Sequence, residues 1–370
     1  MPGLGRKRRV PVPRSPAAPG GQRQRADRGE DRVNEIASPR DVLTVLANAD
    51  RIARAIHVLA GLNIADLLTG GPKTVAELAS AAGADAPSLY RVLRCAACVG
   101  VFTEVRTETF ALSPLAEGLR TDVTDSARDA VVMDGSEFFY RALGALDHTV
   151  RTGKTAFDHV FGMPIWPYLE SNADSTGILD DAMEAINRRL GKRYLDRIDF
   201  GRFSRVADIG GGKGIFLSLL LERYPSCAGV LFERQAMVDP ATSTIAANGL
   251  ADRVTVVGGD FLTGPLPPGC DAYVLNMVLH DWYDEDAARI LRQVRAAMGD
   301  TGGVLFLLEQ VVAGLDTWDR AKLLDIDMLT VWGGRERARH EWDRLLSSAG
   351  FALANEPVAG EWTVLECVPR

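Results

Sequence analysis

Val206-Ala207-Asp208-Ile209-Gly210-Gly211-Gly212-Lys213-Gly214 is the stretch whose reading decides the fold. A short apolar strand pattern breaks into a glycine-rich turn, and the apolar run over 215–221 predicts a helix behind it. Glycine turns sharply and lets backbone approach a ligand with no side chain in the way. The next apolar run, Gly229-Val230-Leu231-Phe232, ends at Glu233, a carboxylate able to accept two hydrogen bonds from a ribose diol. Together these features point to a nucleoside-containing ligand. The turn departs from the two common nucleotide loops. A dinucleotide fingerprint needs glycine where Ile215 stands, and Gly214 is not followed by the Lys-Ser/Thr of a P-loop. Asp208 precedes the glycines instead, and a carboxylate there suits a cationic ligand better than a pyrophosphate. The competing reading is a turn that merely joins strand to helix.

A second signal is Leu279-His280-Asp281-Trp282-Tyr283-Asp284-Glu285-Asp286, directly after the apolar run over 271–276. This puts His280 just beyond the carboxyl end of a strand, where open α/β sheets bind ligands. Asp284 and Asp286 have a structural explanation, as acidic residues at the start of a helix over 287–298. A lone histidine is more often structural than catalytic. Two carboxylates shift that balance: Glu309, ending the run over 304–308, and Glu336, within Gly333-Gly334-Arg335-Glu336-Arg337. Both lie where an α/β domain returns to the same face.

These segments, with Gly258-Gly259-Asp260-Phe261, Glu341-Trp342-Asp343-Arg344-Leu345-Leu346 and Ala349-Gly350-Phe351, resemble the S-adenosylmethionine-dependent small-molecule O-methyltransferases. That family includes plant phenolic enzymes and bacterial enzymes that decorate anthracyclines, mitomycins and aromatic polyketide acids. The resemblance covers nearly everything after about residue 40. It implies an α/β class I methyltransferase fold, a Rossmann-like seven-stranded sheet, preceded by a helical winged-helix domain. That domain is expected to dimerise and help close the partner's active site. S-adenosylmethionine is the implied cofactor. Gly210 and Gly212 would approach its methionine part, Asp208 its amino group and Glu233 its ribose hydroxyls, where many relatives carry Asp. Asp260 and Phe261 match the adenine-binding pair, and Trp282 and Asn276 are assigned to the same site. Asn276 stands where plant members carry Lys.

The implied reaction is methylation of a phenolic hydroxyl on an aromatic polyketide or antibiotic intermediate. A phenol has a pKa of about 10 and is mostly protonated at neutral pH. His280 is the candidate base, since an imidazole near 6.5 suits proton removal. By resemblance Glu309 and Glu336 orient it. C-methylation or a hydroxylation on the same scaffold are alternatives, as is a winged-helix regulator with a ligand-sensing domain.

The first 26 residues carry seven basic groups and no acidic one, so a net charge of −7 leaves −14 on the remainder. That argues against nucleic acid as the partner of the folded part. Residues 1–38 read as a disordered basic tail, 39–120 as the winged-helix dimerisation domain, 121–197 as a helical linker with substrate-pocket residues, and 198–370 as the cofactor-binding catalytic domain. Helix starts are expected at Thr74 and Ser88, and wing strands over 101–104 and 109–112. Arg91 and Arg94 are too isolated for a DNA-reading helix. The expected catalytic strands are 206–209, 229–232, 254–257, 272–275 and 304–308, with an antiparallel pair near 352–356 and 363–367. Phe157, Trp166, Met183, Asn187, Met277 and Met328 are the expected substrate-pocket residues. The five cysteines show no disulfide-framework spacing. No apolar run reaches membrane-span length, and no signal-peptide pattern opens the chain. The expectation is a cytoplasmic homodimer acting on a small aromatic substrate, without metal, membrane or nucleic acid.

Overall fold

Residues 38–300 and 302–370 are described by the computed structural model. The expected basic tail lies outside them except for Ser38. Three short strands open the fold: β1 (Lys73–Thr74), β2 (Thr103–Arg106) and β3 (Thr109–Ala111), antiparallel in the order β1-β3-β2. Helices Ala49–Gly61, Val75–Ala82 and Ala86–Cys98 pack with them around Leu59, Leu78, Leu93 and Phe110. Thr74 caps its helix as expected: its hydroxyl accepts from Glu77 N–H, and the Glu77 carboxylate accepts from Thr74 N–H. Ser88 does not start the next helix. Asp85 is the cap, accepting Ser88 N–H at 3.0 Å, because Pro87 fits the first helical turn and lets the helix begin at Ala86. In front of this module, helix Pro39–Ala47 buries none of its residues, and Leu43 and Leu46 are each 67 % exposed.

The larger sheet comprises β4 (Arg205–Ile209), β5 (Ala228–Glu233), β6 (Val254–Gly258), β7 (Ala272–Asn276), β8 (Val304–Val312), β9 (Arg337–Ala338), β10 (Phe351–Leu353) and β11 (Trp362–Pro369). Its order is β10-β11-β8-β7-β4-β5-β6, with β9 paired to the far end of β8. That makes eight strands, one more than the seven expected. Five central strands are parallel, and β10 and β11 run antiparallel. β4, β5 and β7 are buried on both faces along most of their length, as expected of a parallel sheet covered by helices on each side. Chain order reverses between β4 and β7, and the crevice at the carboxyl ends of such a pair is where these sheets take ligands.

β8 runs on past the point where the sequence pattern ends it. Glu309 lies inside the strand, fully buried, since its Oε1 accepts the backbone N–H groups of Val278 at 3.1 Å and Leu279 at 2.8 Å. Two amide donors on one oxygen, with the His280 ring 3.3 Å from the other, let this carboxylate stay in a core strand.

Six helices fill residues 128–197. The last, Ala173–Arg197, has 25 residues and lies along the crevice. Asp180 on it pairs with Lys213 of the glycine turn at 3.0 Å, and Asn187 accepts from Asn276 Nδ2 at 2.6 Å.

Candidate active site

A cavity of about 1460 Å³ opens at the carboxyl ends of β4, β5 and β7. One wall is the glycine turn. Asp208 beneath it is fully buried, and neither carboxylate oxygen has a hydrogen-bond partner. Burial, reinforced by the nearby Glu233 charge, pushes its carboxyl up to about 7. Gly211 packs directly on it: a Cβ there would sit 2.4 Å from Asp208 Oδ2. Gly212 has φ +57 and open space where its Cβ would be, so bare backbone faces the cavity. Glu233 Oε2 accepts Gly212 N–H at 3.0 Å, and Oε1 accepts Arg234 N–H at 2.9 Å. Each oxygen keeps a lone pair for a diol. An orphaned buried carboxylate, a bare turn and a strand-end glutamate together fit a nucleoside with a cationic tail.

Phe261 stands beside Gly210, edge-on to Trp282 with ring centroids 5.6 Å apart. Asp260 lines the cavity too, its carboxylate already accepting Leu262 N–H and the Thr263 hydroxyl, both at 2.8 Å. Asn276 also reaches the cavity and is tied to the long helix through Asn187.

The opposite wall contains Trp166, Met183, Asn187, Met277 and Met328. Phe157 does not belong to it. That ring is fully buried, stacked on Phe161 at 4.5 Å and edge-on to Tyr168 at 5.3 Å. A large apolar ring is most stable in such a core, and the aromatic-rich segment supplies one. Helix Ala321–Asp327 continues into a wider turn, Met328–Trp332, which puts Met328 and Trp332 on the cavity. Charged residues that sequence reasoning missed also line the cavity, among them Asp134, Arg189, Arg320 and Asp327. Burial, then the Asp134 charge, pushes Asp327 up to about 7. Burial raises Asp134 to about 6 against the pull of Arg320.

His280 sits between the walls, on the turn Leu279–Asp281, and is 5 % exposed. Its Nδ1 lies 3.0 Å from Glu336 Oε1 and 3.3 Å from Glu309 Oε2. Its Nε2 is 3.6 Å from Asp281 Oδ1. Burial pulls the imidazole down, but Glu309, Glu336 and Asp281 outweigh it and push the ring up to about 10. Burial raises Glu309 as well, and raises Asp281 to about 7. The turn depends on Met277, a non-glycine residue at φ +55. That conformation costs on the order of 1–3 kcal/mol. It aims the Val278 and Leu279 amides at Glu309. Asp281 is another residue the sequence reading passed over, although it adjoins His280.

Comparison with known proteins gives a consistent result. The O-methyltransferase domain profile matches residues 140–352, and the O-methyltransferase dimerisation domain profile matches residues 45–122. The 8-amino-8-demethylriboflavin N,N-dimethyltransferase of Streptomyces davaonensis is 39 % identical over 86 % of this chain and 92 % of its own. The phenazine O-methyltransferase PhzM of Lysobacter antibioticus is 37 % identical over 86 % of this chain and 93 % of its own. The crystal structure of NcsB1, an O-methyltransferase from neocarzinostatin biosynthesis, is in complex with S-adenosylmethionine and 2-hydroxy-5-methyl naphthoic acid. It superposes with a TM-score of 0.75 at 33 % identity, covering 86 % of this chain and 96 % of that one.

Proposed function

The chain belongs to the O-methyltransferase family, and from that premise we propose that it methylates a phenolic hydroxyl of an aromatic natural-product intermediate, with His280 taking the proton. It is an S-adenosylmethionine-dependent class I methyltransferase. When bound, the cofactor supplies an electrophilic methyl group on a sulfonium cation. Asp208 and Glu233 are the residues we assign to hold it, at the amino group and the ribose.

The observation that carries the phenol reading is the setting of His280. Nδ1 is hydrogen-bonded to Glu336, with the Glu309 carboxylate 3.3 Å away, an arrangement that favours the neutral tautomer with its free lone pair on Nε2, toward the acceptor. Glu309, Glu336 and Asp281 favour the charged ring, so they stabilise the imidazolium that forms when the neutral imidazole takes the phenol's proton. The mostly apolar, buried surroundings favour the charge-neutralising step that follows. The phenazine named for one relative and the naphthoic acid bound by NcsB1 support an aromatic substrate.

A second reading is methylation of an aromatic amine, which the riboflavin-type relative's name favours. An arylamine is already unprotonated and needs no base before attack. The deciding experiment is mass spectrometry of hydroxynaphthoates, hydroxyphenazines and aminoarenes incubated with isotopically labelled S-adenosylmethionine. The phenol reading expects the labelled methyl on oxygen. Label on nitrogen or carbon, or a hydroxylated product, moves the assignment to the corresponding alternative.

We also read the protein as a homodimer. The match to a dimerisation domain supports this, as does the exposed apolar face with Leu43 and Leu46. Sedimentation of wild type is expected to show a dimer, and Leu43→Asp with Leu46→Asp to weaken it. A wild-type monomer at micromolar concentration ends that reading. Among the described residues, no helix is long and apolar enough to cross a membrane. The lack of a disulfide-framework spacing among the five cysteines supports a reducing, cytoplasmic setting. The acidic balance favours a small-molecule acceptor over nucleic acid.

A further inference from the structure

Arg337 is fully buried, and every arm of its guanidinium has a partner. Nη1 donates to the Leu279 carbonyl at 2.9 Å, Nη2 to the Trp282 carbonyl at 2.7 Å, and Nε to Asp284 Oδ1 at 2.9 Å. The group lies over the Trp342 ring, 5.2 Å from its centroid. Leu279 and Trp282 bracket His280 and Asp281. The bracketed turn is held in between as well: Arg335 N–H donates to the His280 carbonyl at 2.8 Å. Gly334 lies so close that a Cβ there would come 2.0 Å from the His280 carbonyl oxygen. Then Glu336 reaches Nδ1 of the same histidine. Four consecutive residues, 334–337, thus grip both the backbone and the ring of one histidine.

We propose that Arg337 is a positioning residue for His280, its planar fork fixing the two carbonyls that set the imidazole against Glu336 and Glu309. The inference rests on His280 being the residue that faces the acceptor. A guanidinium is costly to bury, and burial pulls its own proton affinity down, with the Asp284 charge working against that. A fold that needed only a filled space here would be served by an apolar side chain. A lysine would keep the charge but offers a single point rather than a fork spanning two carbonyls. The positive charge also faces Glu309 and favours its ionised form, so one residue holds the turn and supports the carboxylate that the turn's histidine uses.

The test reads the Nδ1–H proton itself and needs no acceptor. In the full chain with S-adenosylhomocysteine bound, a downfield imidazole proton resonance is expected, assigned to His280 by its disappearance in His280→Gln. Arg337→Lys is expected to abolish or broaden it, while calorimetry shows cofactor affinity unchanged. Asp284→Asn removes only the outer anchor and is expected to weaken the signal in part. Asp284 is half exposed, so this variant carries the test should Arg337→Lys not fold. If Arg337→Lys lowers only the melting temperature and keeps the resonance, or Asp284→Asn leaves it untouched, Arg337 merely holds the fold and the proposal fails with the His280 reading intact. If wild type lacks the resonance, the Nδ1 bond is absent and both fall together.

Discussion

The two walls of the cavity are built in opposite ways. Gly210, Gly212 and Glu233, with Asp208 buried beneath the turn, come from a single strand-turn-helix-strand unit, and the two glycines act through backbone geometry. The acceptor wall is assembled from side chains on helices Arg128–Asp134, Ala173–Arg197 and Ala321–Asp327, which are far apart in sequence. Trp166 touches both: Arg234, next to Glu233, lies 4.7 Å over its ring. The difference teaches that the glycine-turn wall is largely a local product of the chain, whereas the opposite wall is a product of tertiary packing.

Substitutions on the two sides should therefore separate. The largest effect is expected at the junction. His280→Ala should lower turnover about a hundredfold to ten-thousandfold while leaving cofactor affinity unchanged. A parallel loss of cofactor affinity would place His280 on the wrong wall. Because Glu309, Glu336 and Asp281 raise His280 to about 10, the neutral imidazole becomes more populated as pH rises. Wild-type turnover should climb from neutral pH toward that value, whereas the mutant should follow the phenol's own ionisation. Steady-state rates across pH with phenols of different acidity check this.

Next in size, Glu233→Ala should weaken S-adenosylmethionine binding by about 1–3 kcal/mol through the lost ribose hydrogen bonds. Calorimetry reads it, and unchanged affinity would move the ribose contact elsewhere. A pH effect should come from the same wall. Asp208 is raised to about 7, so the folded apo protein holds a proton that the unfolded chain releases near 3.8. Apo stability should fall as pH rises from 3.8 through about 7, because the unfolded state binds fewer protons there. Cofactor affinity should rise over the upper part of that window, as the carboxylate becomes the partner of a cation. Melting temperatures with and without S-adenosylmethionine should diverge as pH increases. Asp208→Asn should flatten the divergence, and a wild-type gap that stays constant would detach Asp208 from the cofactor. The smallest effect on function is expected at Phe157. Phe157→Leu should cost about 1–3 kcal/mol of stability and leave acceptor selectivity alone. Altered selectivity would return that ring to the wall.

The strands were legible because a sheet covered on both faces requires continuous apolar runs, and 206–209, 229–232 and 272–275 supply them. β8 was misjudged at Glu309 since the amides that satisfy this carboxylate lie some thirty residues earlier, beyond any local pattern. The helix expected to start at Ser88 begins at Ala86 instead, because Asp85 caps it and Pro87 fits its first turn. The pocket aromatics were guessed by type, and type does not distinguish Phe157 in the core from Trp332 on the cavity. Arg337 lay in a quoted segment but nothing marked it as buried, and Asp327 and Asp134 carried no signal. A charged residue is ordinarily solvated, and only the folded arrangement turns these inward or buries them.

Helix Ala173–Arg197 has a consequence for how the two ligands influence one another. At about 1.5 Å per residue it is a rod of about 37 Å. Asp180 fastens it to the glycine turn, Asn187 to the end of β7, and Met183 and Arg189 line the cavity. A ligand that orders the turn therefore presses on the same rigid body that shapes the other ligand's bed. The expected result is cooperativity, and it has to be symmetrical: whatever factor the cofactor applies to acceptor affinity, the acceptor applies to the cofactor. Titrating each ligand in the presence and absence of the other measures that factor. A value of one would mean that the rod transmits nothing. A larger value would make release of the demethylated cofactor the event that loosens the enzyme's hold on its product.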